Sequence, residues 1–175
     1  SWGGVTIEAR PGRPFGVIRG NAPLRDDNGN VIVGANGVPL RTAAPIEIGN
    51  ITPDWTGGIR NTFFYKGASL SFLVDVRMGG DVYSVSDWFG AYAGLTEETA
   101  INGIREHGLV VKGVKENGEP NDIVIPATSY FGAYWGREEY GIIDGSYVKF
   151  RELVIGYDIP KSLISKAGFI QGANI

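Results

Sequence analysis

The sequence lacks the residues on which several common kinds of site depend. Its 175 residues include no cysteine and one histidine, His107. Without cysteine there is no disulfide framework and no thiolate metal site. A single histidine also leaves a zinc centre or a histidine-activated nucleophile without enough partners. We therefore expect this chain to have no metal, no cofactor and no catalytic site.

Charge and hydropathy argue against further classes of protein. The formal net charge is -3 and the lysines and arginines form no run, so a nucleic-acid partner is not expected. No apolar stretch is long enough for a membrane-spanning helix. The carboxylate pairs Glu97–Glu98 and Glu138–Glu139 are sequence neighbours, and neighbours on a strand or helix do not face one substrate as glycosidase carboxylates must. We therefore predict that the chain is not an enzyme.

What the sequence does contain is a pair of long amphipathic strands, at 55–65 and 68–77. Apolar or aromatic residues alternate with small or polar ones along both, a period typical of a two-faced sheet. Lys66 and Gly67 between them suit a two-residue hairpin turn. Each strand is about as long as a tilted strand that crosses a bilayer. Leu70, Phe72 and Val74 represent the apolar side, and Arg60, Asp75 and Arg77 the polar side.

This pattern favours a transmembrane hairpin whose apolar side contacts lipid and whose polar side lines a lumen. An ordinary soluble hairpin with one face on a core remains an alternative, because amphipathic strands serve both purposes. Further strands are predicted at about 4–10, 146–157 and 169–175, and the segments at about 11–54 and 78–145 are predicted as extracellular loops.

Two local features of the flanking segments carry specific predictions. The apolar positions change phase between Phe150 and Leu153, which predicts a β-bulge at Arg151–Glu152. The second long loop carries a predicted short helix from about Thr96 to Glu106, with Thr96 as its N-cap. Because long loops lie on the outer face of such barrels, the turn at Lys66–Gly67 is expected on the periplasmic side.

Two blocks of sequence carry a family pattern. The first is Gly49-Asn50-Ile51-Thr52-Pro53-Asp54-Trp55-Thr56-Gly57-Gly58-Ile59-Arg60-Asn61-Thr62, followed by Tyr65-Lys66-Gly67 and by Arg77-Met78-Gly79-Gly80-Asp81. The second is Asp144-Gly145-Ser146-Tyr147-Val148-Lys149-Phe150-Arg151-Glu152-Leu153, followed by Gly156-Tyr157 and Pro160-Lys161. In this order, and together with the loop at 111–120, the blocks resemble the SusC/RagA family of TonB-dependent outer membrane transporters.

The resemblance implies more than this chain contains. It implies an all-β fold in which the chain is a C-terminal segment of a 22-stranded antiparallel transmembrane β-barrel with a plugged lumen. The plug domain is absent from this chain, which begins without Met and ends within a predicted strand, so we expect a piece of a longer protein. The implied location is the outer membrane of a Gram-negative bacterium.

The same resemblance implies function and partners. It implies import of glycans or peptides, with an oligosaccharide or peptide as substrate and outer membrane lipid around the barrel. A SusD-like surface lipoprotein would cover the external loops, and the TonB–ExbB–ExbD complex would act through the absent N-terminal part. The alternative function is a soluble β-rich carbohydrate-binding module, which would bury the Leu70, Phe72 and Val74 side beneath a second layer. A passive barrel is a third possibility.

The predicted contact residues lie in two aromatic clusters of the second long loop. One cluster is Trp88, Phe89 and Tyr92, and the other includes Tyr130, Phe131, Tyr134 and Trp135. Aromatic rings offer apolar faces to sugars and peptide side chains. We predict a substrate- or partner-contacting surface, whereas the simpler alternative is that the aromatics pack the loops together. The residues predicted to make these contacts are Trp88, Phe89, Tyr92, Tyr134 and Trp135.

Overall fold

The computed structural model describes residues 4–164 and 173–175. The strands are β1 (Thr6–Glu8), β2 (Val17–Gly20), β3 (Ile32–Val33), β4 (Ile46–Asn50), β5 (Trp55–Tyr65), β6 (Ala68–Met78), β7 (Asp81–Tyr83), β8 (Leu109–Val110), β9 (Val114–Lys115), β10 (Val124–Ile125), β11 (Ile142–Asp144) and β12 (Tyr147–Tyr157). The α-helices are α1 (Val85–Tyr92), α2 (Ile104–His107), α3 (Ala127–Gly132) and α4 (Lys161–Ile164), and 3-10 turns span Glu97–Thr99, Ile101–Gly103 and Glu138–Gly141.

The chain divides into two compact units. The mixed unit comprises Ser1–Thr52 and Gly80–Asp144, and the sheet unit comprises Pro53–Gly79 and Gly145–Ile175. Strands outweigh helices among the described residues, which is compatible with an all-β class. These residues form no closed barrel, since their sheets have two or three strands each.

The sheet unit is built on three antiparallel strands in the order β12-β6-β5. Each of the three spans eleven residues. Lys66 and Gly67 join β5 to β6, and both have positive φ, at 48° and 83°. Two positive φ values match the turn whose twist suits a tight hairpin. The structure therefore contains the hairpin that the alternating pattern predicts.

One face of the sheet unit is almost entirely apolar. Ile59 of β5 pairs with Val74 of β6, which pairs with Phe150 of β12. Phe63, Leu70 and Ile155 form the next such row. None of these side chains is buried, and Ile155 is 73% exposed. The sheet unit thus presents a broad apolar surface that no layer of the described residues covers.

The opposite face of the sheet unit carries paired charges. The Arg60 guanidinium on β5 reaches across β6 to Glu152 on β12, with a 2.7 Å contact between Nη2 and Oε2. Arg151 makes a 2.7 Å contact with Asp75, which also accepts a hydrogen bond from the Tyr147 hydroxyl at 3.1 Å. Exposed ion pairs contribute at most about 1 kcal/mol each. They do, however, favour this one register of the three strands.

A β-bulge in β12 keeps its apolar residues on one face. The pairing of β12 with β6 shifts between Phe150 and Glu152, so Arg151 is the extra residue. The bulge predicted from the change of phase is therefore present. Because a one-residue shift exchanges the two faces of a strand, the bulge returns Leu153 to the face that holds Phe150.

The mixed unit corrects two predictions for the first fifty residues. The strand predicted at 4–10 is reduced to β1 and pairs with β2 in a short β1-β2-β4 sheet, rather than with the long strands. The predicted loop at 11–54 contains the unpredicted strands β2 and β4, and also β3, where the apolar run Val31-Ile32-Val33 predicts a small hairpin within the loop. Val17 and Ile18 of β2 are buried, so packing of these side chains stabilises β2. The sequence does not predict β2, because the glycines and prolines beside it are typical of turns.

The predicted loop at 78–145 also contains regular structure, and its predicted helix is wrong in detail. Residues 96–106 form two 3-10 turns and the start of α2 instead of one continuous helix. Asn102 and Gly103 have φ values of 54° and 66°, which no helix interior accommodates. Thr96 makes no side-chain capping bond to the 3-10 turn that follows it. An unpredicted helix, α1, is present in this segment.

The last predicted strand, at 169–175, lies largely outside the described residues. Within the described part, Asn174 pairs with Asp158 in a single antiparallel bridge. The backbone groups of Tyr157 and Ile175 exchange hydrogen bonds of 2.9 and 3.1 Å. Residues 173–175 therefore contact the end of β12.

Candidate functional site

Helices α1 and α3 bring the two aromatic clusters of the mixed unit together. The Ser84 hydroxyl caps α1 by accepting a hydrogen bond from the Asp87 N–H at 3.2 Å. Trp88 and Ala91, three residues apart, lie on the buried face of α1 and pack with Phe131 of α3. Residues spaced three or four apart share one side of a helix, so capping and spacing together explain this helix.

Trp88 is the buried centre of the joined cluster. Its side chain is 2% exposed, and its indole Nε1–H donates a hydrogen bond of 3.0 Å to the Tyr134 carbonyl. Its ring centroid lies 4.9 Å from that of Phe89 and 5.5 Å from that of Trp135. Tyr134 is also buried. The structure thus places two of the five predicted contact residues in the core, where they support the surface above them.

The other three predicted residues form an exposed group that we call the aromatic patch: Phe89, Tyr92 and Trp135. They are 38%, 44% and 60% exposed. The Trp135 centroid lies 6.2 Å from that of Phe89 and 6.0 Å from that of Tyr92. Because Trp88 fixes Trp135 and Phe89 from below, the patch is a preformed surface that combines apolar area with polar groups.

Tyrosines lie beside the aromatic patch in the core. Tyr134 and Tyr140 stack with ring centroids 4.5 Å apart, and Tyr130 lies 5.9 Å from Tyr134. Burial raises the pKa of both Tyr134 and Tyr140 above the ordinary tyrosine range. Both phenols are therefore neutral at physiological pH. Sequence reasoning missed Tyr140, whose position in a Glu-Glu-Tyr run gave no sign of its burial against the cluster.

The hydroxyl of Tyr83 is buried in the mixed unit without a hydrogen-bond partner among the described residues. Burial, with a smaller contribution from the Glu138 carboxylate, raises the pKa of Tyr83 to about 12. An unfolded tyrosine titrates near pH 10. The folded state therefore holds this proton more tightly, and the associated stability is complete below about pH 10 and is lost as the pH rises toward 12.

Replacing Tyr83 by phenylalanine should reduce this alkaline loss of stability. Between about pH 9 and about pH 11, the free energy of unfolding should fall less in Tyr83→Phe than in the wild type, because the phenylalanine has no proton to lose. Chemical denaturation at the two pH values measures the difference. Tyr92→Phe, at an exposed position, is the control. An equal fall in Tyr83→Phe and the wild type would contradict the assignment.

A cavity of about 350 Å³ adjoins the aromatic patch at Tyr92. Arg105 of α2 lines it, and sequence reasoning missed this residue because a lone arginine carries no motif. The Arg105 guanidinium donates to the carbonyls of Gly94 and Thr99, at 2.6 and 2.9 Å. These bonds hold the charged group in place at the cavity wall.

The part of the chain that the structure describes contains no group of three or more histidine, cysteine, aspartate or glutamate side chains that could hold a metal ion. The Asp26 carboxylate accepts hydrogen bonds from the backbone N–H groups of Asn28 and Asn30. Hydrogen bonding to Asn30 lowers the pKa of Asp26. This carboxylate stabilises a turn.

The described residues include no helix that is both long enough and apolar enough to span a membrane. The described residues thus combine a two-faced sheet of long strands with a second unit that carries the aromatic patch. No protein-family model matches the sequence.

Among curated proteins, the chain is similar to TonB-dependent receptor P3 of Formosa agariphila. The two sequences are 25% identical over an alignment that covers 78% of this chain and 13% of the receptor. The chain thus spans a small part of the length of this relative. The similarity supports the TonB-dependent receptors as the family and does not distinguish the SusC/RagA group within it.

Proposed function

We propose that this chain supplies barrel wall and external loops to an outer membrane TonB-dependent importer of the SusC/RagA type. The observation that carries the proposal is the apolar face of the sheet unit, which extends over three strands of eleven residues without a buried side chain. A strand rises about 3.3 Å per residue, so eleven residues tilted in a bilayer cover its hydrocarbon layer.

The partial similarity to a TonB-dependent receptor supports the same proposal. In such a wall the apolar face meets lipid, and the Arg60–Glu152 and Arg151–Asp75 pairs face the lumen, where charged groups remain hydrated. Among the described residues, β5 and most of β12 have one edge that pairs with no other strand. These edges would then continue the sheet through other strands of the same barrel, because an open edge is not tolerated in lipid.

The aromatic patch suits contact with a substrate or with a protein that covers the loops. We propose that Phe89, Tyr92 and Trp135 contact a glycan, a peptide or a SusD-like lipoprotein, and that import is driven by the TonB–ExbB–ExbD complex through a part of the protein outside this chain. The function is transport rather than catalysis, and it needs no cofactor from this chain.

The soluble carbohydrate-binding module is the weaker alternative. It requires Leu70, Phe72 and Val74 to be buried beneath a second layer, as in a β-sandwich. Leu70 is 39% exposed, and Phe72 and Val74 are only partly covered. The structure therefore gives no specific support to the module.

Accessibility labelling of single cysteines in intact cells tests the proposal. The chain has no cysteine, so a thiol can be introduced at Leu95, which is 82% exposed in the mixed unit, or at Lys66 in the β5–β6 turn. A membrane-impermeant maleimide should label Leu95→Cys on intact cells. It should label Lys66→Cys only after the outer membrane is permeabilised, because that turn faces the periplasm.

The full-length protein without either substitution measures background labelling. Equal labelling of both positions on intact cells would contradict the proposed topology. Recovery of the protein in a soluble fraction, with both cysteines reactive there, would favour the soluble module instead.

A further inference from the structure

The cavity beside the aromatic patch combines a fixed positive charge with apolar walls. Its volume is about 350 Å³, near the lower end of the range for small-molecule sites, which is roughly 300–1,000 Å³. The residues that line it and matter for its chemistry are Tyr92, Gly94, Thr99, Arg105, Thr128 and Phe131. All of them belong to the mixed unit, so the cavity is complete within one compact body.

Arg105 is held by three hydrogen bonds that use only part of its guanidinium. Nε donates to the Thr99 carbonyl at 2.9 Å. Nη2 donates to the Gly94 carbonyl at 2.6 Å and to the Thr99 hydroxyl at 2.7 Å. These bonds account for the structural task of joining residues 94–105. Nη1 donates no hydrogen bond to any described residue.

Arg105 also forms no ion pair, although other arginines in the chain do. Within residues 4–164 and 173–175, Arg13, Arg25, Arg60 and Arg151 each have a carboxylate partner within 4 Å. Among the described residues, no carboxylate forms an ion pair with the charge at the cavity wall. A guanidinium fixed in this way prefers a planar oxyanion, to which it donates charge-assisted hydrogen bonds.

We propose that this cavity binds a carboxylate carried by a small, partly apolar body. The unused Nη1 group of Arg105 donates to the carboxylate, and the Tyr92 and Phe131 rings contact the apolar side of the ligand. The Thr128 hydroxyl is an additional hydrogen-bonding group. A uronic acid residue of a sugar chain and the C-terminus of a short peptide share this chemistry, and the cavity volume suits either.

Binding measurements on the full-length protein in detergent test the proposal. The probes are glucuronate and N-acetyl-alanyl-alanine, compared with their uncharged counterparts glucose and N-acetyl-alanyl-alanine amide. At least one carboxylate should bind about tenfold more tightly than its counterpart, the ratio expected for one charge-assisted hydrogen bond. Isothermal titration calorimetry or saturation-transfer NMR measures the ratio.

Variants separate binding in the cavity from the structural role of Arg105. Arg105→Gln should abolish the preference for the carboxylate. Thr128→Tyr, a substitution at an exposed position that fills the cavity, should abolish binding while leaving the Arg105 hydrogen bonds in place. Arg25→Gln removes an arginine that is paired with Glu139 and should leave binding unchanged.

The outcomes decide the ligand as well as the site. A preference for glucuronate alone identifies a sugar acid, a preference for the free peptide alone identifies a peptide terminus, and a preference for both identifies the carboxylate as the recognised group. Equal binding of charged and uncharged probes, or a preference that survives Arg105→Gln or Thr128→Tyr, would overturn the proposal. Because binding is measured without TonB, these results are independent of the proposed transport.

Discussion

Leu153→Arg is expected to reduce the folded, membrane-inserted protein strongly, whereas Val154→Arg at the next position is expected to have little effect. The two residues are similarly exposed, at 55% and 47%. Leu153 lies on the apolar face opposite Phe72, and Val154 lies on the polar face opposite Ser71. An arginine facing lipid near the bilayer midplane costs roughly 2–4 kcal/mol, and one facing a lumen remains hydrated.

The difference can be measured as the heat-modifiable folded band of outer membrane fractions and as the free energy of unfolding in a lipid bilayer. Because the two positions are adjacent on one strand, any general effect of an added charge is shared by both variants. Equal losses in Leu153→Arg and Val154→Arg would indicate that the two faces of the sheet meet the same environment. That result would remove the main support for a membrane-embedded wall.

Trp88→Ala is expected to destabilise the mixed unit by about 3–5 kcal/mol, the usual cost of deleting a large buried aromatic side chain. The substitution leaves a cavity between α1 and α3. It also removes the indole N–H, which donates a hydrogen bond of 3.0 Å to the Tyr134 carbonyl. Hydrogen exchange of the α1 and α3 amides, measured by mass spectrometry on the full-length protein, should show a corresponding loss of protection.

Trp135→Ala is the matched control, since Trp135 contacts Trp88 but is 60% exposed. It should preserve the exchange protection of α1 and α3, and it should weaken substrate uptake or binding of a covering protein if the aromatic patch makes those contacts. Equal losses of protection in both variants would show that the patch is part of the core. Unchanged uptake and unchanged partner affinity in Trp135→Ala would remove the patch from the proposed function.

The strands, the turn and the bulge of the sheet unit could be predicted from the sequence because each depends on a local pattern of residues. The period of two along β5 and β6, with exceptions at Asn61, Phe64 and Leu73, requires only that successive side chains point to opposite faces. Lys66–Gly67 has the length of the commonest hairpin turn, and a change of phase in β12 marks the bulge at Arg151. Each of these features depends on neighbouring residues alone, so the sequence predicts them without knowledge of distant contacts.

The strands and helices of the mixed unit were harder to predict because contacts between residues far apart in the chain determine them. Strand β3 pairs in parallel with β9, which lies about eighty positions further along the chain. Two-residue strands are too short for their sequences to predict which strand they pair with. Glu138 is buried because its carboxylate accepts a hydrogen bond from the Asn21 N–H at 2.7 Å, although its neighbour Glu139 pairs at the surface. Helix α1 did carry a local signal, Ser84 followed three residues later by Asp87, which is typical of a helix start.

The structure brings the five predicted contact residues into one aromatic cluster, in which Trp88 and Tyr134 are buried. Aromatic residues in one loop indicated a cluster, but the sequence could not say which of them would be covered, because coverage depends on how α1 and α3 meet. The separation of Trp88 and Tyr134 from the exposed aromatic patch follows from packing between segments that are far apart in the chain.

The pairing of β7 with β11 brings together the two ends of the chain segment between them. Asp81 lies opposite Asp144, so the segment that carries α1, α3, the aromatic patch and the Arg105 cavity starts and finishes at adjacent positions. A stem of this kind fixes where the segment starts and finishes while its exposed residues change. The aromatic patch and the cavity can therefore be altered by substitutions that keep the contacts of the segment with residues 1–52, such as the β3–β9 pairing.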